Sequence, residues 1–422
     1  MRLLLVIPSQ SSFHCFFTEL AEAWLARGHE LHLLAGALIK GGPDKPLPTG
    51  VIYYPVAFPR DMNPLSHWRC AKKITRIIQQ TKPDIVHAHF SAALFTTALA
   101  ARTIKRRRGP APAHSKIPLP CNGTSLTIEP GPFRSFPVPA CPRFLGTFHG
   151  MISTYCTGWR RLLLNKAERT AIKYLDQVWV LTPDDLAHAR HLAPHSDIRM
   201  QPGFGLGCRI DRFNHASLNP VKLQKWRQRL DGDVSIDKKK GVTLLFVGRF
   251  AAFKGFPLVI RAFLRLWQEQ CAEDPGKMPD IRLLLAGNLD PLHPTGLTRE
   301  EEEAMIRCPG IRNLGFVEDL EYIMALSDAL LFPSQREGMP VCVMEALSMH
   351  LPVITSNLRG GRDLVQDGQN GILLNQLTIA DVYNSLITVQ KRSFKFIENS
   401  TVYDRKKFIK NQFNIYFHTY NF

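Results

Sequence analysis

Short, continuous apolar runs alternate with helical patterns along most of the chain. In the first half the strand-length runs fall at Arg2–Ile7, Glu30–Leu34, Val51–Val56, Asp84–His87, Phe144–Phe148, Gln177–Leu181 and Ile198–Gln201. Helical spacing lies between them at Phe17–Arg27, Trp68–Gln80 and Ala92–Lys105. The second half repeats the rhythm, with strands at Thr243–Val247, Arg282–Ala286, Ala329–Phe332, Val353–Thr355 and Ile372–Leu374. Its helices are expected at Phe256–Gln270, Arg299–Arg307, Leu320–Ser327, Pro340–Ser348 and Arg362–Val365. A strand apolar at successive positions is buried on both faces, and helices that return the chain to the next strand make the sheet parallel. Two such series predict an α/β chain of two doubly wound, Rossmann-like domains facing a central cleft. Ligands of these sheets bind beyond the carboxyl ends of the strands, so the cleft is the expected site.

The boundary falls in Pro202–Lys240, a Gly-rich turn followed by the charged run Asp231–Lys240. Residues 1–204 are then the first domain, and 205–404 the linker and second domain, with 405–422 left for a last helix. One segment breaks the rhythm: Gly109–Pro142 holds nine prolines. Proline fixes φ and removes a donor, so this density defeats helix and central strand alike and predicts a long surface insertion.

Composition adds limits. The 422 residues carry 53 Lys and Arg against 36 Asp and Glu, a net charge of +17. That excess favours an anionic partner, such as a phosphorylated substrate or a membrane surface; an inert basic surface is the alternative. The run Lys105–Arg108 reads as a solvated face, so no nucleic-acid partner is expected. Nine cysteines are scattered from Cys15 to Cys342 without a CxxC pair, which fits reduced cytosolic thiols and excludes a zinc ribbon. The apolar start MRLLLVIP is too short for a signal-peptide core and reads as a buried strand. No stretch approaches the roughly 20 apolar residues of a membrane span. A cytoplasmic protein associated peripherally with the inner face of the membrane is expected.

The chemistry concentrates in two places. In FVGRFAAFKG, Gly248 and Arg249 follow a strand and Lys254 opens the next helix. An Arg fork and a Lys point charge at a cleft mouth suit a diphosphate, though the same residues also fit a tight turn with solvated cations. In SQREGMPVCVME, Glu337 precedes a helix that Pro340 begins, and Glu345 lies on its second turn. A helix N-terminus favours phosphate, and carboxylates accept from vicinal diols. Two acids eight apart are also ordinary loop and surface residues.

Read in order, FVGRFAAFKG, LLLAGNLD, GFVEDLEYIMALSDALLFPS, REGMPVCVMEAL, LPVITSNLRGGRDLV and DGQNGILL resemble the motif series of family-four glycosyltransferases of the GT-B fold. The likeness covers nearly all of residues 242–374; ELAEAWLARGHELHLL, KPDIVHAHF, FLGTFHGM and GLGCRIDRF extend it more loosely. Within that family the chain is most similar to enzymes that build bacterial surface polysaccharides. The resemblance implies a retaining transfer of a sugar, hexosyl or N-acetylhexosaminyl, from a nucleotide sugar, with UDP the expected nucleotide. The acceptor would be lipid-linked or a growing polysaccharide. It implies that Arg249 and Lys254 bind the donor diphosphate beside Gly248, that Glu345 binds the ribose, and that Glu337 holds the sugar near its reacting carbon. The backbone of Gly338, Met339, Pro340 and Val341 would meet sugar or phosphate oxygens, and Phe316 and Val317 would lie beside the base. His149, in TFHG, matches a family histidine near the donor sugar; alone it reads as a satisfied strand-end residue. Catalysis would rest on Glu337, His149, Arg249 and Lys254. The last helix would pack back on the first domain.

Arg249, Lys254 and a helix dipole could meet the leaving diphosphate without a metal, so neither metal nor other cofactor is expected. The turn after the first strand reads PSQSSFH where many family members carry glycines, which makes Ser11 and Ser12 candidate acceptor-side donors. Gly158–Leu175 is the candidate membrane-facing helix, with Lys166, Arg169 and Lys173 in one arc and an apolar face opposite; docking on its own domain is the alternative. Two other functions fit the scaffold. One is a nucleotide-sugar epimerase, and the other is an inactive nucleotide-sugar-binding or scaffold protein.

Overall fold

A computed structural model describes residues 1–38, 45–59, 61, 63–108, 141–231, 241–291, 293–391, 394 and 400–418. The proline-rich segment 109–142, apart from Cys141 and Pro142, lies outside these residues. So do 232–240 of the charged run and 419–422 of the expected last helix.

Thirteen strands among the described residues form two all-parallel sheets. The first contains β1 Arg2–Ile7, β2 Glu30–Ala35, β3 Val51–Pro55, β4 Ile85–His89, β5 Arg143–Thr147, β6 Gln177–Val180 and β7 Ile198–Met200, in the order β3-β2-β1-β4-β5-β6-β7. The second contains β8 Val242–Val247, β9 Ile281–Ala286, β10 Ile311–Gly315, β11 Ala329–Phe332, β12 Val353–Ser356 and β13 Gly371–Leu374, in the order β10-β9-β8-β11-β12-β13. Each sheet reverses its winding once, between β1 and β4 and between β8 and β11. The carboxyl ends at those two reversals are the ligand positions of a doubly wound sheet.

The apolar runs became strands because both faces of each sheet are covered. Leu4 and Val6 enter the core on one side of the first sheet, while Leu3, Leu5 and Ile7 enter the other. Leu244 and Phe246 diverge from Leu245 in the same way in the second. Each such side chain contributes about 1.5–3 kcal/mol of apolar burial. The helix Arg405–His418 sends Phe408, Phe413 and Tyr416 into the core of the first sheet, against Trp24.

Several expected boundaries need correction. β10 was missed because IRNLG is a mixed, incompletely buried edge strand without a clean alternation. The turn PSQSSFH is helical over Gln10–Phe16, begun by the Ser9 side chain accepting from the Ser12 N–H, and a second helix runs Thr18–Leu25. Lys254 does not open a helix: it ends a short 3-10 turn, and Gly255 separates it from the helix Phe256–Glu273. Pro340 is the extended residue before the helix Val341–Ser348, not its first helical residue. Arg362–Val365 is not helical; residues 359–364 form a turn in which Gly360 has φ +80°. Helices at Pro183–Leu192, Pro220–Asp231 and Ile379–Lys391 were not anticipated.

Candidate active site

β8 ends at Val247, and the chain turns sharply through Gly248, Arg249 and the 3-10 turn Ala252–Lys254. Gly255 completes this turn at φ +75°, and a Cβ there would lie 2.2 Å from the Pro333 carbonyl oxygen. Only glycine lets the Lys254 turn press against the end of β11. The consequence is an ion pair: Lys254 Nζ lies 2.5 Å from Glu337 Oε1, and both side chains are largely shielded from water. Ser334 Oγ donates to the same carboxylate oxygen at 2.6 Å.

Three cations surround the Phe253 ring. Arg249, Lys254 and Arg336 sit 5.2, 5.8 and 5.9 Å from its centroid. Arg249 is half-exposed and pairs at 2.5 Å with Asp290, which also meets His293. Arg249 and Lys254 therefore each hold a carboxylate counter-ion.

The helix Val341–Ser348 has no side-chain cap, so its positive end is available to an anion. Glu345, on its second turn, makes no side-chain hydrogen bond or ion pair among the described residues. Burial pushes its carboxyl up to about 7, against the lowering influence of Arg405 and Arg212, while Glu321 adds to the rise. It is a shielded acid rather than an ordinary surface residue.

From the first sheet, β4 and β5 bring three histidines to the same edge. His149 Nε2 lies 3.1 Å from His89 Nδ1, and the Phe90 ring stacks on His149 at 4.2 Å. Phe90 has φ +69°, a left-handed conformation costly for a bulky residue. His87 is held by Tyr416 and Thr147 at 2.7 and 2.9 Å. Burial pulls His87 and His149 down to about 3 and His89 well below its usual value, so all three are neutral near pH 7. His149 thus offers a neutral ring that hydrogen-bonds without a positive charge.

The two domains touch at this point. A Cβ on Gly338 would lie 2.4 Å from the His149 carbonyl oxygen. Between the domains lies a cleft of about 1070 Å³, lined by Gly248, Arg249, Phe316 and Val317 on one side and by Ser11, Phe95 and Leu163 on the other. Phe316 is half-exposed there. Lys254, Glu337 and Glu345 do not line this volume, and neither does Ser12, whose hydroxyl lies 3.0 Å from that of Ser9. Met339 and Val341 pack beside the core of the second domain. Among the described residues no group of three or more His, Cys, Asp or Glu is placed to hold a metal ion.

Sequence reasoning missed Ser334, Asp290, Tyr155, Asp185 and Arg359. Arg359 stands within LPVITSNLRGGRDLV, but nothing in its spacing reveals that its partners belong to the other domain.

Residues 241–391 match the family model described as glycosyl transferases group 1, and residues 16–117 match that described as glycosyltransferase family 4. Each of the two domains thus carries a match to a glycosyltransferase family model. The chain is 25% identical over 308 residues to EpsD of Bacillus subtilis, which carries a glycosyltransferase name, covering 72% of this chain and 66% of that one. Over 76 residues it is 38% identical to the UDP-Gal:alpha-D-GlcNAc-diphosphoundecaprenol alpha-1,3-galactosyltransferase of Escherichia coli, covering 18% of this chain and 20% of that one. The matches thus span less than two thirds of either relative. In fold it resembles Anabaena Alr3699/HepE, solved in complex with UDP and glucose, at a TM-score of 0.67 and 16% identity, with 98% of both chains covered.

Proposed function

We propose that this protein transfers a sugar from a nucleotide sugar, with UDP as the nucleotide, to a lipid-linked or growing polysaccharide acceptor, retaining the anomeric configuration. One observation carries the reading. Lys254, Glu337 and Arg249 gather at the carboxyl edge of the second sheet, at its reversal point, directly opposite His149. Breaking the anomeric bond leaves an oxocarbenium-like sugar and a nucleoside diphosphate. Cations already in place on that leaving group lower the barrier without reorganisation. Arg249 and Lys254 supply the charge, with the uncapped end of the helix Val341–Ser348 behind them, and no divalent metal is invoked. Glu337 orients the sugar hydroxyls while its Ser334 bond holds the carboxylate in place. Glu345 takes the ribose, and Phe316 and Val317 flank the base. His149 being neutral, it supports the sugar by hydrogen bonding rather than as an acid.

The acceptor side favours a partly apolar, anionic molecule. Phe95, Leu99 and Leu163 line the first-domain wall of the cleft together with Arg102 and Lys166. The same helix, Gly158–Tyr174, exposes Trp159 and Leu162 beside Arg160 and Arg161, a surface suited to the anionic cytoplasmic face of a membrane. No helix among the described residues is long and apolar enough to cross a membrane.

Glu337→Gln and Lys254→Ala should each lower transfer or donor hydrolysis by about a hundredfold or more, as removal of a preorganised transition-state contact does. The assay is run with a panel of UDP-sugars in the presence of a chelator. Wild-type rates in both folded variants would sink the assignment, and loss of wild-type activity on chelation would sink its metal-free form.

A further inference from the structure

The carboxylate of Glu337 is held from its own domain, by Lys254 and Ser334. Its backbone is held from the other. Tyr155 belongs to the first domain, at the end of the 3-10 turn Ile152–Tyr155. Its hydroxyl donates to the Glu337 carbonyl at 2.8 Å and accepts from the Glu337 N–H at 3.2 Å. It also accepts from Arg359 Nε at 2.6 Å. A phenol has one donor and two acceptor positions, so this set is complete.

Each support is supported in turn. The Arg359 guanidinium lies 4.2 Å from the Tyr155 ring, donates to the Met151 carbonyl at 2.5 Å, and pairs with Asp185. Arg359 and Asp185 are 6% and 0% exposed, so the pairing is screened little by solvent. Asp185 also accepts from the Met151 N–H, and Glu168 accepts from the Ile152 and Ser153 N–H groups and the Ser153 hydroxyl. The turn carrying Tyr155 is therefore rigid, and Arg359 binds it back to the second domain. Burial raises the Tyr155 phenol above its usual range, which keeps its proton available for the Glu337 carbonyl.

We propose that Tyr155 is a positioning residue for the donor sugar, setting the backbone of Glu337 from the opposite domain so that the sugar subsite is complete only when the domains are closed. This rests on the proposed role of Glu337. On that same reading the diphosphate is held by Arg249 and Lys254, both in the second domain, so the two halves of the donor depend on closure differently. A misplaced carboxylate spoils the sugar contact and leaves the nucleotide contact intact.

The test is Tyr155→Phe, which keeps the ring on Arg359 and removes only the hydroxyl. Calorimetry measures UDP, UDP-glucose, UDP-galactose and UDP-N-acetylglucosamine, and donor hydrolysis supplies kcat. The expected result is UDP affinity within about twofold of wild type, with kcat down about 30-fold, the scale of two or three lost hydrogen bonds. The extra affinity that the preferred sugar adds over UDP is also lost. A merely structural role would weaken UDP along with the UDP-sugar. In the Glu337→Gln background, Tyr155→Phe should remove no further sugar-dependent affinity, because both act through one contact. Additive losses, or a Tyr155→Phe enzyme with wild-type kcat and wild-type sugar affinity, overturn the proposal while leaving the donor-site reading intact. If Tyr155→Phe fails to fold, Arg359→Lys is measured for the same split, and unchanged kcat and sugar affinity there overturn it. A wild-type protein that neither binds nor turns over any UDP-sugar overturns the underlying reading as well.

Discussion

Glu345 costs stability at neutral pH, because burial disfavours its charged form. Its carboxyl titrates near 7 in the folded protein, against about 4.5 for a solvated one. Between those values the folded state keeps a proton that the unfolded state has lost, so stability falls as pH rises through that window. The loss is roughly 3 kcal/mol, at about 1.4 kcal/mol for each unit of pKa difference. Glu345→Gln should therefore leave the melting temperature unchanged at pH 4 and raise it at pH 8, while UDP affinity falls. Thermal melts at both pH values check this. An unchanged midpoint at pH 8 would show that the charge is not under strain. Glu337 has a different economy, since Lys254 and Ser334 satisfy it before any ligand arrives.

At the scale of elements, the helix Gly158–Tyr174 has two different ends. Its later half is anchored by the buried Ala171 and Ile172. Its first half sends Trp159 and Leu162 into solvent, at 64% and 71% exposure, beside Arg160 and Arg161. Seating two such apolar side chains in a headgroup region is worth about 1.5–3 kcal/mol each. Trp159→Ser with Leu162→Ser should lower binding to mixed phosphatidylglycerol and phosphatidylcholine vesicles by at least about tenfold. Hydrolysis of a soluble UDP-sugar should stay unchanged. Equal flotation of variant and wild type would remove the membrane assignment from this helix. The sequence pattern placed the basic arc at Lys166, Arg169 and Lys173. The exposed apolar group instead begins one turn earlier, because Leu164 and Ala167 are partly covered by the protein's own packing.

Across the whole molecule, the domains meet through Tyr155 and Glu337, Arg359 and Asp185, Arg362 and Asp184, and the close approach of Gly338 to His149. A donor that binds only the folded protein stabilises it by mass action, about 2.7 kcal/mol at a hundred times its dissociation constant. At equal concentration, the preferred UDP-sugar should raise the melting temperature more than UDP, and Glu337→Gln should remove most of that advantage. A variant that keeps the advantage would place the sugar elsewhere. The strands and their parallel order were legible because continuous apolar runs have few other solutions. The pairing of Lys254 with the Glu337 loop was half legible, since both stood in recognisable motifs at the ends of strands. The insertion at 109–142 lies mainly outside the described residues. Sequence alone determined the two doubly wound domains and the cluster of charge at the second sheet's edge, because periodicity and strand-end chemistry are local properties. Tertiary structure alone decided the counter-ion on Arg249, the neutrality of His149, the raised carboxyl of Glu345 and the Tyr155 grip on Glu337. Each depends on burial or on partners far away in the chain, and no spacing along a single sequence encodes either.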